Sequence, residues 1–143
     1  MPQCKVDSTS SPTLTKLLKK LRTKFRHVED DLNEVIPDIA ADYTTACNAA
    51  RPPKRKLEWE HWKYDFGSSD LRRHPRESFR LIGVFLEAEE VAKVRTLYLI
   101  LAWFKGEKPD VSSEEIRSAV GKLMEAMGQS ELGDVEETPP AET

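Results

Sequence analysis

Three basic residues, Lys63, Arg80 and Lys105, have the types and settings that phosphate chemistry requires. Arg80 follows Phe79 in a strand-like stretch, so the two side chains should leave the sheet on opposite faces. A guanidinium on an open face can hold a phosphate bidentately; the plainer alternative is an arginine paired with a carboxylate on a solvated strand. Lys63 alternates with Trp62 and Tyr64 and should project away from those rings. Such a lysine acts as a general base only where burial or nearby cations favour its neutral form. Otherwise it contacts phosphate or is simply solvated. Lys105 closes the third strand-like stretch beside a turn, where it either joins the same surface or caps a loop.

The densest basic cluster in the middle of the chain is Arg72, Arg73, His74 and Arg76. It can clamp an RNA backbone, with His74 as the local group that titrates near neutrality. A solvated loop is the alternative, and Asp70 and Glu77 weaken the field on either side. Trp59, Trp62 and Trp103 can stack on bases, although tryptophans at strand spacing more often fill a core. His27 and His61 have no Cys, Asp or His partners at metal-ligand spacing, so no metal site and no cofactor are expected.

The elements that must position these residues are legible from periodicity. Residues 1–12 are rich in Ser, Thr and Pro and read as a disordered lead-in. Leu14, Leu17, Leu18, Leu21, Phe25, Val28, Leu32, Val35 and Ile36 follow steps of three and four. They mark one helix of about six turns, or two helices with a bend. Pro37 should interrupt that stripe, with a short helix continuing over residues 38–50. Adjacent Pro52 and Pro53 make residues 51–56 a basic loop. Residues 62–66, 79–86 and 94–104 read as strands, the last apolar on both faces. The short link after Leu86 suits an antiparallel hairpin. Ser112 and Glu115 form a capping-box pattern, Ile116, Val120, Leu123, Met124 and Met127 supply a helical stripe, and Gly128 is a natural stop. Residues 129–143 read as a disordered acidic tail. The expected fold class is therefore α+β: an N-terminal helix or helix pair, an antiparallel sheet of three to four strands with helices on one face, and a C-terminal helix. The domain boundaries are 13–128.

Composition agrees with one domain. The chain has 143 residues, 38% of them hydrophobic and 33% charged. The net charge of −3 hides an asymmetry: six of the 25 acidic residues follow Lys122, whereas none of the 22 basic ones does. The body is thus weakly positive, which suits an anionic partner. Cys4 and Cys47 are far apart and match no metal or redox spacing. The polar start lacks a signal-peptide core, and the longest apolar run is too short to span a bilayer. A cytoplasmic protein without membrane contact is expected.

The order of these pieces resembles the RelE/ParE superfamily of type II toxin–antitoxin toxins. Residues 62–66, Trp-Lys-Tyr-Asp-Phe, resemble the family's strand entering its basic cleft. Phe79-Arg-Leu-Ile82 resembles the strand that carries the cleft arginine. Residues 99–116 resemble the last strand, its lysine, the turn and the start of the C-terminal helix. The resemblance covers roughly residues 14–127. It implies a toxin partnered by a cognate antitoxin. RelE-type members cleave mRNA on the translating ribosome without a metal, whereas ParE-type members inhibit DNA gyrase on the same scaffold. On the RelE reading Lys63, Arg80 and Lys105 are the catalytic residues, and Arg72, Arg73, His74 and Arg76 bind RNA. The chemistry there needs a base for the ribose 2′ proton, a cation for the phosphoryl oxygens and an acid for the leaving 5′ oxygen. The chain departs from the family pattern at Asp65, where a second cation is common. It also has the basic loop 72–79 in place of a glycine-rich one, and no His, Tyr or further Arg follows Lys105. A catalytically degenerate binding module is the third reading.

Two structural expectations follow. Lys63, Arg80 and Lys105 should converge on one sheet face, with Arg73 and Arg76 at its rim. The sheet should be antiparallel, and parallel pairing in it would sink both the architecture and the resemblance.

Overall fold

The computed structural model describes residues 2–46, 58–70, 78–87, 94–108 and 110–128. The order of elements is β1 (Lys5–Asp7), α1 (Pro12–Leu21), α2 (Val28–Ala41), β2 (Glu60–Phe66), β3 (Phe79–Phe85), β4 (Thr96–Phe104) and α3 (Ser113–Ala126). The strands form one sheet in the order β1-β4-β3-β2. The fold is α+β, as expected.

Strands β2, β3 and β4 make an antiparallel meander. Strand β1 pairs parallel to β4, with Lys5, Val6 and Asp7 opposite Thr96, Leu97 and Tyr98. The sheet is therefore mixed, which corrects the antiparallel expectation. This edge counts against the resemblance by the criterion above, although it lies outside residues 14–127. The expectation of a structureless lead-in also fails at this point. Cys4 is buried, its Sγ donating to the Ile39 carbonyl, and Asp7 accepts from the backbone N–H groups of Thr9 and Ser10. Three residues of strand carry too little periodicity to be seen in sequence, and β1 exists because β4 offers it an edge.

The helical stripe divides between Leu21 and Val28, not at Pro37. Ser11 caps α1 by accepting from the Leu14 N–H, with Pro12 in the first turn, where its missing donor costs nothing. Pro37 sits inside α2, which runs on to Ala41. The expected helix over residues 38–50 is thus the end of α2, and residues 47–50 lie outside the described residues. Helix α2 borrows its cap. His27 has no capping side chain of its own, and the Asp70 carboxylate accepts the His27 N–H at 2.9 Å. Helix α3 has the full capping box between Ser112 and Glu115, and Gly128 follows its end at φ 75°.

Both faces of the sheet are covered, which corrects the expectation of helices on one face. Tyr64, Phe66, Phe79, Leu81, Phe85, Leu97 and Leu99 pack with Leu14, Leu18, Val28, Leu32 and Ile39 of α1 and α2. Ile82, Val84, Ile100, Leu101 and Trp103 pack with Ile116, Ala119, Val120 and Leu123 of α3. A β-bulge makes this second face. Ile82 pairs with Leu101 but Gly83 pairs with Leu99, so Ile100 is the extra residue and joins Leu101 under α3. No helix among the described residues is long and apolar enough to cross a membrane.

Candidate anion-binding face

The register places the candidate residues on the face that carries α3. Asp65 pairs with Arg80, and Arg80 pairs with Trp103. Lys63 and Lys105 lie two residues from Asp65 and Trp103 along their strands, so strand alternation puts all of them on that one face. Lys105 is fixed there by its N–H, which donates to the Ser78 carbonyl at 3.0 Å.

The three cations meet carboxylates. Arg80 Nε lies 3.4 Å from one oxygen of Asp65, and Lys105 Nζ lies 3.7 Å from the other. The Asp65 side chain is 6% exposed, against 23% for Arg80 and 25% for Lys105. The carboxylate is therefore the most buried of the three groups. Lys63 is almost wholly buried and donates to Asp110 at 3.2 Å. Asp110 also accepts the Val111 N–H, which anchors the lysine to the entry of α3. At the other side of that turn Lys108 contacts Glu115, and this hydrogen bond is the largest cause holding the Glu115 carboxyl below its ordinary value.

Sequence reasoning thus located the three cations but missed what holds them. Asp65 was visible only as a departure from the family pattern. The signal was its spacing of two from Lys63, which sets it on the same face. Asp110 had no such signal, because a turn residue carries no periodicity. Arg72, Arg73, His74 and Arg76 lie outside the described residues. Trp103 is core, and its buried indole N–H has no hydrogen-bond partner among the described residues. Trp59 and Trp62 are partly buried against the two core clusters. His27 pairs with Asp70 and His61 is buried with Nδ1 3.2 Å from the Trp59 carbonyl. Among the described residues no three His, Cys, Asp or Glu side chains are grouped to hold a metal ion.

A concavity of about 410 Å³ lies between α1 and the end of β4, lined by Leu17, Lys20, Lys24, Phe104 and Lys108 among others. Two of its lysines are paired, Lys24 with Glu107 and Lys108 with Glu115.

Chemically, the α3-bearing face gathers three cations, each paired with a carboxylate. Lys63 is held by its hydrogen bond to Asp110. Comparison with known proteins is negative throughout: no family model, no curated protein and no solved structure matches the chain.

Proposed function

We propose that this chain is a toxin of a type II toxin–antitoxin system, built on a RelE/ParE-like scaffold, that engages RNA phosphates through Lys63, Arg80 and Lys105 and cleaves mRNA on translating ribosomes without a metal. The observation that carries the proposal is the gathering of those three cations, from β2, β3 and the residue after β4, on the face beside α3. The antiparallel meander of the strands that bear the resemblance supports it, while the parallel β1 edge weighs against it. The partners on this reading are a cognate antitoxin, mRNA and the ribosome, in the cytoplasm.

A second reading has its own support. Asp65 and Asp110 each neutralise a cation of the set, and Lys63 is held by its hydrogen bond to Asp110. That favours a non-catalytic inhibitor, ParE-like towards DNA gyrase, or a binding module that has lost the chemistry.

Expression of the parent chain and Arg80→Ala, followed by growth, protein synthesis and mRNA integrity, separates these readings. The nuclease reading expects growth arrest with ribosome-dependent mRNA cuts from the parent and neither effect from a folded Arg80→Ala. Arrest with intact mRNA replaces it by the inhibitor reading. A parent chain that leaves growth unaffected overturns both toxin readings.

A further inference from the structure

We infer that the concavity between α1 and the end of β4 is a binding site for a small organic anion, a carboxylate with a short apolar body. The inference is independent of the toxin reading and of the cations beside α3.

The cavity lies at a gap in the edge of the sheet. Strand β1 pairs with β4 only as far as Tyr98, whereas β4 runs on to Phe104. Ala102, Trp103 and Phe104 all line the cavity. Successive side chains leave a strand on opposite faces, so three residues in a row border one space only along the strand's edge. The register shows what that edge offers. The Lys105 N–H donates to the Ser78 carbonyl, one step beyond the pair Phe79 and Phe104. Antiparallel partners alternate between bonded and non-bonded pairs, so Phe104 turns its N–H and C=O away from β3, to the side on which α1 lies. The Phe104 carbonyl accepts from the N–H groups of Glu107 and Lys108. Its N–H has no partner among the described residues, and Phe104 is partly exposed.

The charges of the lining favour an anion. Three lysines, Lys20, Lys24 and Lys108, stand against one acid, Glu107, which leaves an excess of two positive charges. Lys24 contacts Glu107 and Lys108 contacts Glu115. Lys20 is exposed and has no ion-pair partner among the described residues. Leu17 and Leu21 give α1 an apolar wall beside these lysines. The volume of about 410 Å³ falls in the range that small-molecule sites occupy. A short aliphatic or aryl acid matches each part. Its carboxylate meets Lys20, with the Phe104 N–H as a directional donor, and its body lies on Leu17 and Leu21.

The test titrates the full chain with phenylbutyrate and with its neutral analogue phenylbutanol. NMR follows the methyl groups of Leu17 and Leu21 and the N–H of Phe104. The inference expects phenylbutyrate to move all three sets of signals to saturation and to bind more tightly than phenylbutanol. Lys20→Gln removes an exposed charge and should fold as the parent does. It should weaken phenylbutyrate by about three- to fivefold, the size of one exposed charge contact, and leave phenylbutanol unchanged. Leu17→Trp fills the cavity and should abolish binding of both probes. The inference is overturned by signals that do not saturate, by equal affinity for the two probes, or by a Lys20→Gln chain that binds phenylbutyrate as the parent does. Binding that survives in a folded Leu17→Trp chain places the probe elsewhere and also overturns it. Should Leu17→Trp fail to fold, the Lys20→Gln comparison decides. No RNA or ribosome enters the assay, so its failure leaves the toxin reading standing, and a parent chain that leaves growth unaffected leaves this inference standing.

Discussion

Asp65 and Arg80 face each other directly across β2 and β3, with Nε 3.4 Å from a carboxylate oxygen that is almost wholly buried. Removing Arg80 takes one partner from that carboxylate and leaves it Lys105 at 3.7 Å. Arg80→Ala should therefore cost about 1–3 kcal/mol of stability, below the usual loss for a fully buried pair because Lys105 stays and Arg80 is partly exposed. Urea unfolding measures it. A cost near zero would mean that Asp65 is satisfied without Arg80.

Arg95 ties together the opposite end of the sheet. It is buried, with NH1 3.0 Å from Glu60, NH2 3.0 Å from the Tyr43 hydroxyl and its Cζ 3.8 Å from the Phe85 ring centre. Arg95→Ala should destabilise by about 2–3 kcal/mol, through lost charge-assisted hydrogen bonds and the ring contact. Arg95→Lys should recover only part, since an ammonium cannot fork to both partners. Burial pushes the Glu60 carboxyl up, but hydrogen bonds from Arg95 and Trp62 and the Arg95 charge together outweigh it and hold it below 4.5. A lowered carboxylate contributes stability above its unfolded value that is lost as pH falls through the folded one. The difference in unfolding midpoint between parent and Arg95→Ala should accordingly shrink below about pH 4.5.

Gly83 sits beside the bulge, and a Cβ there would lie 2.7 Å from Cγ of Leu97, a fully buried core residue that has little room to retreat. Gly83→Ala should cost about 1–3 kcal/mol by overpacking. Leu97→Ala alone opens a cavity, but combined with Gly83→Ala it should cost less than the sum of the two. A double-mutant cycle reads this coupling, and strict additivity would show that the sheet simply moves apart.

His27 and Asp70 join the start of α2 to the turn after β2. Asp70 accepts both the His27 N–H and, at 2.8 Å, its Nδ1. The hydrogen bond and charge of Asp70 raise the His27 imidazole above its ordinary 6.5. For a raised histidine the contribution is present below the unfolded value and disappears as pH rises through the folded one. The His27 ring titration by NMR should have its midpoint above 6.5 and fall back in Asp70→Asn. A midpoint indifferent to that substitution would rule out the clasp.

The N-terminal strand makes the last prediction. Cys4 is buried, and burial pushes its thiol up to about 11 against the opposing charge of Arg95. In a Cys47→Ser background Cys4 should react with a disulfide reagent only on unfolding, because the thiolate is the reactive form. Deleting residues 1–10 should cost about 2–3 kcal/mol from the apolar burial of Cys4 and Val6. A truncated chain as stable as the parent would restore the view of this segment as a loose lead-in.

The sequence by itself determined the local elements. Strand alternation around Lys63 and Arg80 fixed which way those side chains point, and the Ser112–Glu115 capping box fixed where α3 begins, because both signals repeat within a few residues. It did not determine the break between α1 and α2, where the apolar stripe runs on through Phe25 and only the cap from Asp70, 43 positions away, marks the new start. Nor did it determine β1, since three residues become a strand only beside Thr96–Tyr98. The candidate site divides in the same way. That Lys63, Arg80 and Lys105 share a face followed from alternation and strand order. That Arg80 and Lys105 share a carboxylate did not, because Asp65 meets them only through cross-strand register, and register is a property of the paired sheet and not of any one strand.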